Sequence, residues 1–277
     1  MKNFLIIETE YVGHYLTGYI PYILRALKKN DLKIYLLLSD KALKKGKGAL
    51  KILKDEKIPF EIITIKYIEP LHNNFLTLLF YQIKLYFLIK NKFYNINNKI
   101  KFDHIFLTSA QRFDKALSIF GSPFGDVQFS CIFLGLKFYL KSYGIESTST
   151  NHLLSKLLFY NFLRSKNLVK VITNDYLLEK FVIKNDWQNK SKILSLHDPK
   201  EFNYQYNKNY SRKIINVDSD RFVILVYGAI IDSKGIKELI QLFKVDESNV
   251  HCIIVGKQLG KTKHFLKNDK YVKSLIG

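Results

Sequence analysis

Short apolar runs recur along the first part of this chain, each separated from the next by a stretch with helical spacing. NFLIIE (3–8), KIYLLLS (33–39), FEIITI (60–65), HIFLTS (104–109), VQFSCIFLGL (127–136), VKVITN (169–174) and KILSL (192–196) read as strands. Helical patterns cover 17–29, 41–57, 74–92, 137–143, 151–166 and 175–185. A strand that is apolar throughout is buried on both faces. Strands of that kind, alternating with helices, predict a parallel sheet covered on both sides.

The pattern changes after Asp198-Pro199. KEFNYQYNKNYSRKIINVDSD (200–220) is polar, rich in Asn and Tyr, and lacks periodicity, so it reads as an interdomain linker and surface loop. A second unit follows, with a strand over 222–227, a turn over 228–235 and a helix over 236–244. A strand over 250–255, a turn over 256–262 and a helix over 263–275 complete it. The expected organisation is an α/β chain: a Rossmann-like domain over 1–200, a linker over 200–220 and a partial Rossmann-like domain over 213–277. A doubly wound domain needs several strands to bury both faces. Two recognisable strands with open edges predict that the chain stops inside its second domain.

Charge narrows the class of partner. The net charge is +20, and the excess is almost all lysine; Arg25, Arg112, Arg164, Arg212 and Arg221 are the arginines. Nucleic-acid readers lean on the planar arginine fork. These lysines sit in no RRM, KH or helix-turn-helix context, so nucleic acid is not an expected partner. A lysine-rich surface suits an anionic membrane or phosphates. The helix over 73–91, NNFLTLLFYQIKLYFLIKN, is unusually apolar, interrupted by Gln82 and Lys84. It reads either as a membrane-surface helix or as one packed on the sheet. No window has the roughly 18 uninterrupted apolar residues of a membrane span. MKNFLIIETEY is too short and too acidic after Ile7 for a signal peptide. Cys131 and Cys252 lie in separate apolar runs, which argues for a reducing compartment and against a disulfide framework. A cytoplasmic protein, peripheral on the membrane if bound there, is the expectation.

Candidate chemistry gathers at VYGAIIDSKGIKELI (226–240). The strand stops at Gly228, a turn carries Lys234 and Gly235, and a helix begins. Such a junction offers free N–H groups and the positive helix end to an anion, and Lys234 adds a movable charge. The order is neither a P-loop nor GxGxxG. Read as an ordinary βα turn, it needs no ligand.

This stretch resembles the first strand-turn-helix of the C-terminal domain of family 4 glycosyltransferases, which have the GT-B fold. In that family a Gly-Arg pair ends the strand, a Lys-Gly pair precedes the helix, and the two cations hold the donor diphosphate. Gly228, Lys234 and Gly235 match; Ala229 stands where the arginine is usual. VHCIIVGK (250–257) resembles the family's next strand, whose closing glycine, here Gly256, lies near the donor. ITNDYLLEKF (172–181) and KILSLHDPKEF (192–202) resemble the end of the N-terminal domain. YVGHYLTGYIPYILRALKK (11–29) resembles the Gly-His loop and first helix of the acceptor side, through Gly13 and His14.

The resemblance implies transfer of a hexose from a nucleotide-diphosphate sugar to a glycan or lipid-linked acceptor, in cell-surface polysaccharide synthesis. The nucleotide-sugar is a co-substrate, and no cofactor or metal is implied. His14 would touch a sugar or phosphate, or act as base toward the acceptor hydroxyl; otherwise it merely closes a loop. His104 and His152 are candidate bases by position only. Glu61 and Glu69 have the family's Glu-x7-Glu spacing but lie in the wrong half, so they read as solvated carboxylates. The true element would follow Gly277, and on that basis the chain is expected to be inactive or nearly so. The alternative is a non-catalytic relic, or a module that binds a membrane surface or a partner protein. CxxC and HExxH do not occur, so no metal site is expected.

Overall fold

A computed structural model describes residues 1–11, 15–28, 31–55, 57–69, 75–145, 152–197, 207–218, 220–228, 230–231, 235–245, 250–256 and 258. The chain divides into two compact units, Met1–Lys200 and Glu201–Gly277.

The first unit is built on strands β1 (Lys2–Glu8), β2 (Leu32–Ser39), β3 (Phe60–Ile65), β4 (His104–Leu107), β5 (Gln128–Ile132), β6 (Leu168–Thr173) and β7 (Ile193–Ser195). They form one parallel sheet in the order β3-β2-β1-β4-β5-β6-β7. Its helices are α1 (Ile20–Leu27), α2 (Asp40–Lys45), α3 (Lys47–Asp55), α4 (Phe75–Ile100), α5 (Asp114–Phe120), α6 (His152–Leu163) and α7 (Tyr176–Lys184). Alternate residues of β1 face opposite cores. Ile6 packs with Leu24, Leu53 and other residues of α1–α3, whereas Leu5 and Ile7 pack with Leu85, Phe162 and Phe181 of α4, α6 and α7. That is why β1 is apolar through its buried length, up to Glu8. The chain reverses its winding between β1 and β4, which opens a crevice at their carboxyl ends.

Several elements differ from the expected bounds for identifiable reasons. Gly46 divides the pattern over 41–57 into α2 and α3; a Cβ there would lie 2.5 Å from the Ala42 carbonyl oxygen. The helix expected over 74–92 runs on to Ile100, because Phe93, Ile96 and Ile100 continue its core-facing side. The start of α1 is preceded by a wider π-helical turn, Tyr15–Tyr19. The short α5 carries no sequence signal of its own and is pinned by Gln82 of α4. Gln82 Nε2 donates to Asp114 Oδ1 (2.8 Å), and the Lys115 N–H donates to Gln82 Oε1 (2.8 Å). The polar interruption in the apolar helix is therefore a buried clamp between α4 and α5. The expected helix over 137–143 is a single 3-10 turn, Leu140–Tyr143.

The second unit has α8 (Lys208–Ile214), β8 (Phe222–Tyr227), α9 (Ile236–Val245) and β9 (Val250–Val255). β8 and β9 pair in parallel. α8 corrects the reading of 200–220 as loop throughout. Asn207 caps it by accepting from the Tyr210 N–H (3.0 Å), and Arg212 Nη1 ties its end to the Asp218 and Arg221 carbonyls. The helix expected over 263–275 lies outside the described residues.

Asp175 is a testable keystone of the first unit. Its Oδ1 caps α7 by accepting from the Leu177 N–H (2.9 Å), and its Oδ2 accepts from the Tyr139 hydroxyl. Asp175→Ala should lower stability by about 1–2 kcal/mol in urea denaturation. Asp175→Asn, which keeps the cap oxygen, should lose less than half of that.

Candidate functional site

Strand β1 ends in Glu-Thr-Glu, at the point where the sheet's winding reverses. Glu8, Thr9 and Glu10 are all buried, with Glu8 fully so. Beside them, the chain leaving β4 supplies Thr108, Ser109, Gln111 and Arg112. The Glu8 carboxyl group accepts from the Glu10 N–H (2.6 Å) and from Ser109 Oγ (3.0 Å) through Oε1. Its Oε2 lies 2.5 Å from Thr108 Oγ1, which is itself 3.0 Å from the Ile7 carbonyl oxygen. A hydroxyl has one proton and can serve only one of these two acceptors. In the ionised form Thr108 donates to Oε2; in the protonated form Oε2 would donate to Thr108 and free the Thr108 proton for Ile7. Burial favours the protonated form. Desolvation, opposed by the hydrogen bonds from Thr108, Glu10 and Ser109, leaves the Glu8 carboxyl pushed up to about 7.

Glu10 has a different setting. Arg112 Nε approaches its Oε1 at 3.5 Å, close enough for an ion pair but with no hydrogen bond made. Gln111 Nε2 donates to the Tyr15 hydroxyl. Burial, and to a lesser degree the charge of Glu10, pushes the Tyr81 phenol up. Three buried oxygens here, Thr9 Oγ1, Glu10 Oε1 and Gln111 Oε1, have no hydrogen-bond partner among the described residues. Two of them, Glu10 Oε1 and Gln111 Oε1, are acceptors.

A cavity of about 440 Å³ opens beside this cluster. Tyr81 and Gln82 of α4, Gln111 and Arg112 after β4, Phe133–Phe138 after β5 and Ser155 of α6 line it. It lies at the carboxyl edge of the sheet, where open α/β folds bind ligands.

In the second unit, Gly228 ends β8 and Gly256 ends β9, both at positive φ (98° and 147°). Their backbones touch: a Cβ on Gly256 would sit 1.7 Å from the Gly228 carbonyl oxygen. Gly256 is therefore required by packing alone. Gly235, at φ 66°, opens α9, and its carbonyl accepts from the Leu239 N–H (2.9 Å). Lys234 and Ala229 lie outside the described residues, as do Gly13 and His14 of the first unit.

The remaining candidates are placed plainly. His104 begins β4, at the opposite edge of the sheet from the cluster. It stacks on Phe4 and shares a hydrogen bond with Ser130 Oγ (3.1 Å), and burial lowers its pKa. It belongs to the packing of that edge. His152 opens α6. Glu61 and Glu69 are exposed and pair with Lys33 (2.8 Å) and Lys41 (2.6 Å), as solvated carboxylates do. Among the described residues, no three His, Cys, Asp or Glu side chains are grouped to hold a metal, and Cys131 and Cys252 are free thiols. No described helix is long and apolar enough to cross a membrane. Glu8, Glu10, Gln111 and Arg112 were not foreseen in the sequence. The available signal was two carboxylates closing a fully apolar strand at its carboxyl end.

No protein-family model and no curated protein matches the sequence. Solved structures do match in fold. The Anabaena protein HepE, in complex with UDP and glucose, aligns over 96% of this chain with a TM-score of 0.59 and 13% identity. The chain spans 64% of the length of HepE. Arabidopsis thaliana UGT89C1, complexed with quercetin, aligns over 96% of this chain and 71% of its own (TM-score 0.53, 11% identity). The UDP-GlcNAc 2-epimerase of Neisseria meningitidis, bound to UDP-GlcNAc, aligns over 96% and 67% (TM-score 0.53, 12% identity). The chain therefore has an α/β fold of the GT-B kind.

The Glu8 assignment has a signed pH consequence. A carboxyl whose pKa is raised on folding stabilises the fold fully below its unfolded value, 4.5. That contribution is lost as pH rises through about 7. Glu8→Gln, which copies the protonated form, should lack this loss. From pH 4.5 to pH 8 the variant should gain on the parent by about 3 kcal/mol, read from denaturant unfolding at each pH. A gap that stays constant with pH would mean Glu8 is ionised throughout.

Proposed function

We propose that the chain handles a nucleotide-diphosphate sugar and transfers its sugar to a hydroxyl acceptor, as a glycosyltransferase of the family 4 type. The observation that carries this reading is the polar cluster at the carboxyl ends of β1 and β4, where Glu10 faces Arg112 (3.5 Å) beside a cavity that Gln111 and Arg112 line. Amide, guanidinium and carboxyl groups gathered at a crevice suit the many hydroxyls of a sugar. The fold likeness to HepE and UGT89C1, whose structures hold UDP with glucose and quercetin respectively, supports the same class.

In this reading the first unit is the acceptor side. Glu10, held by Arg112, takes a hydrogen bond from an acceptor hydroxyl and is placed to receive its proton. Glu8 fixes the backbone of Glu10 through the Glu10 N–H bond. Gly13 and His14 follow Glu10 closely in sequence, and His14 is a second candidate base. The second unit is the donor side. The Gly228–Gly235 turn, with Lys234 and the N-terminus of α9, neutralises the leaving diphosphate as its charge develops. The acceptor is a glycan or a lipid-linked glycan, and the product belongs to a cell-surface polysaccharide.

Calorimetry with UDP tests the donor half. Lys234→Ala should weaken binding by about 1–3 kcal/mol, the worth of one charge-assisted contact. The transfer step is tested by incubating UDP-glucose with and without a hydroxylated glycan and following UDP release. Release that requires the glycan and falls sharply in Glu10→Gln supports the reading. An epimerised nucleotide-sugar formed without acceptor would move the chain to the epimerase side of this fold.

A further inference from the structure

The cavity beside Glu10 is flanked by two helices whose outer faces are unusual. On α4, Leu76, Phe80 and Phe87 are 62%, 71% and 43% exposed. At 100° per residue they fall within an arc of about 40°, so they form one outward stripe. On α6, Leu153 and Leu157, one turn apart, are 71% and 53% exposed. The inner faces of both helices pack into the same core, and their first halves line the same cavity. The apolar stripes therefore lie on the same side of the sheet, each on the face of its helix turned away from the core and the cavity.

Charge is segregated to match. Between Glu69 and Asp103 there is no acidic residue, while Lys84, Lys90, Lys92, Lys99 and Lys101 occur there. Between Glu146 and Asp175 there is again none, against Lys156, Arg164, Lys166 and Lys170. Lys84 stands exposed beside the α4 stripe. A surface of Leu and Phe on two helices whose own charged residues are all basic fits a medium that is apolar inside and anionic at its boundary.

We propose that the outward faces of α4 and α6 dock on an anionic lipid bilayer, with Leu76, Phe80, Leu153 and Leu157 entering the acyl boundary and lysines meeting the headgroups. The inference goes beyond the transferase reading and does not depend on it. Nucleic acid would also answer the positive charge, but it offers nothing to the exposed leucines.

The test uses the full chain and vesicle flotation, with no nucleotide-sugar present. Vesicles of phosphatidylcholine with phosphatidylglycerol should float the protein; phosphatidylcholine alone should float at least tenfold less. Phe80→Ser with Leu157→Ser should lower binding at least tenfold at unchanged melting temperature. Leu242→Ser, an exposed apolar residue of the second unit, should leave binding unchanged. Phe80→Trp should be quenched by bromine on the acyl chains. Equal flotation of parent and double variant would overturn the proposal. So would absence of quenching, or tight binding to duplex DNA with none to vesicles.

Discussion

A parallel sheet has to be covered on both faces, and the way this chain meets that requirement determines where its chemistry lies. The crossovers from β1 through β3 place α1–α3 on one face, and those from β3 onward place α4–α7 on the other. The reversal leaves the carboxyl ends of β1 and β4 without a helix above them. In β1 and β4, at the centre of the sheet, polar residues are kept out of the buried body of the strand. They collect at the ends, and Glu8, Thr9, Glu10, Thr108 and Ser109 are where the apolar runs stop.

Placing two carboxyl groups there has a cost that the local geometry answers differently for each. Glu8 loses its hydration completely, and a buried unpaired charge would oppose folding strongly. Two hydroxyls and an N–H donate to it, and burial raises its pKa to about 7, so the charge is given up more readily than in water. Glu10 faces Arg112, so it retains an ionic partner beside the cavity. In the proposed reading the inner carboxyl is scaffold and the outer one the functional group. The distinction comes from burial and partners, since the two residues are chemically alike and two positions apart.

The alternation of elements was readable because period and length are local properties. The strands follow from them to within a residue or two, except β5, which stops at Ile132 where the apolar run goes on to Leu136. What escaped the sequence depended on contacts between distant segments. α5 is held by Gln82 from a helix more than thirty positions earlier, and nothing in DKALSIF announces it. The wide turn before α1 and the capped helix inside a polar linker are also set by neighbours and by single side chains such as Asn207. The site was half legible. Gly228 and Gly235 mark a βα turn in any reading, but the meeting of Glu10 with Arg112 joins residues about a hundred positions apart. Only the strand order, which puts β4 beside β1, brings them together.

The second unit shows the same logic at smaller scale. α9 covers one face of the β8–β9 pair, where Ile230, Ile236 and Ile240 gather with Val226 and Ile254. Leu225, Tyr227 and Val255 are exposed on the other face. The register aligns Tyr227 with Val255, so both strands stop at the same level, and Gly228 and Gly256 then bring their backbones into contact. A side chain at Gly256 would force those strand ends apart and break the continuing pairing at Ile230 and Gln258. The two glycines thus set how closely the loops after both strands begin. A substitution at Gly256 would therefore displace Gly228, the start of the turn for which the ligand role is proposed, as well as the strand ends themselves.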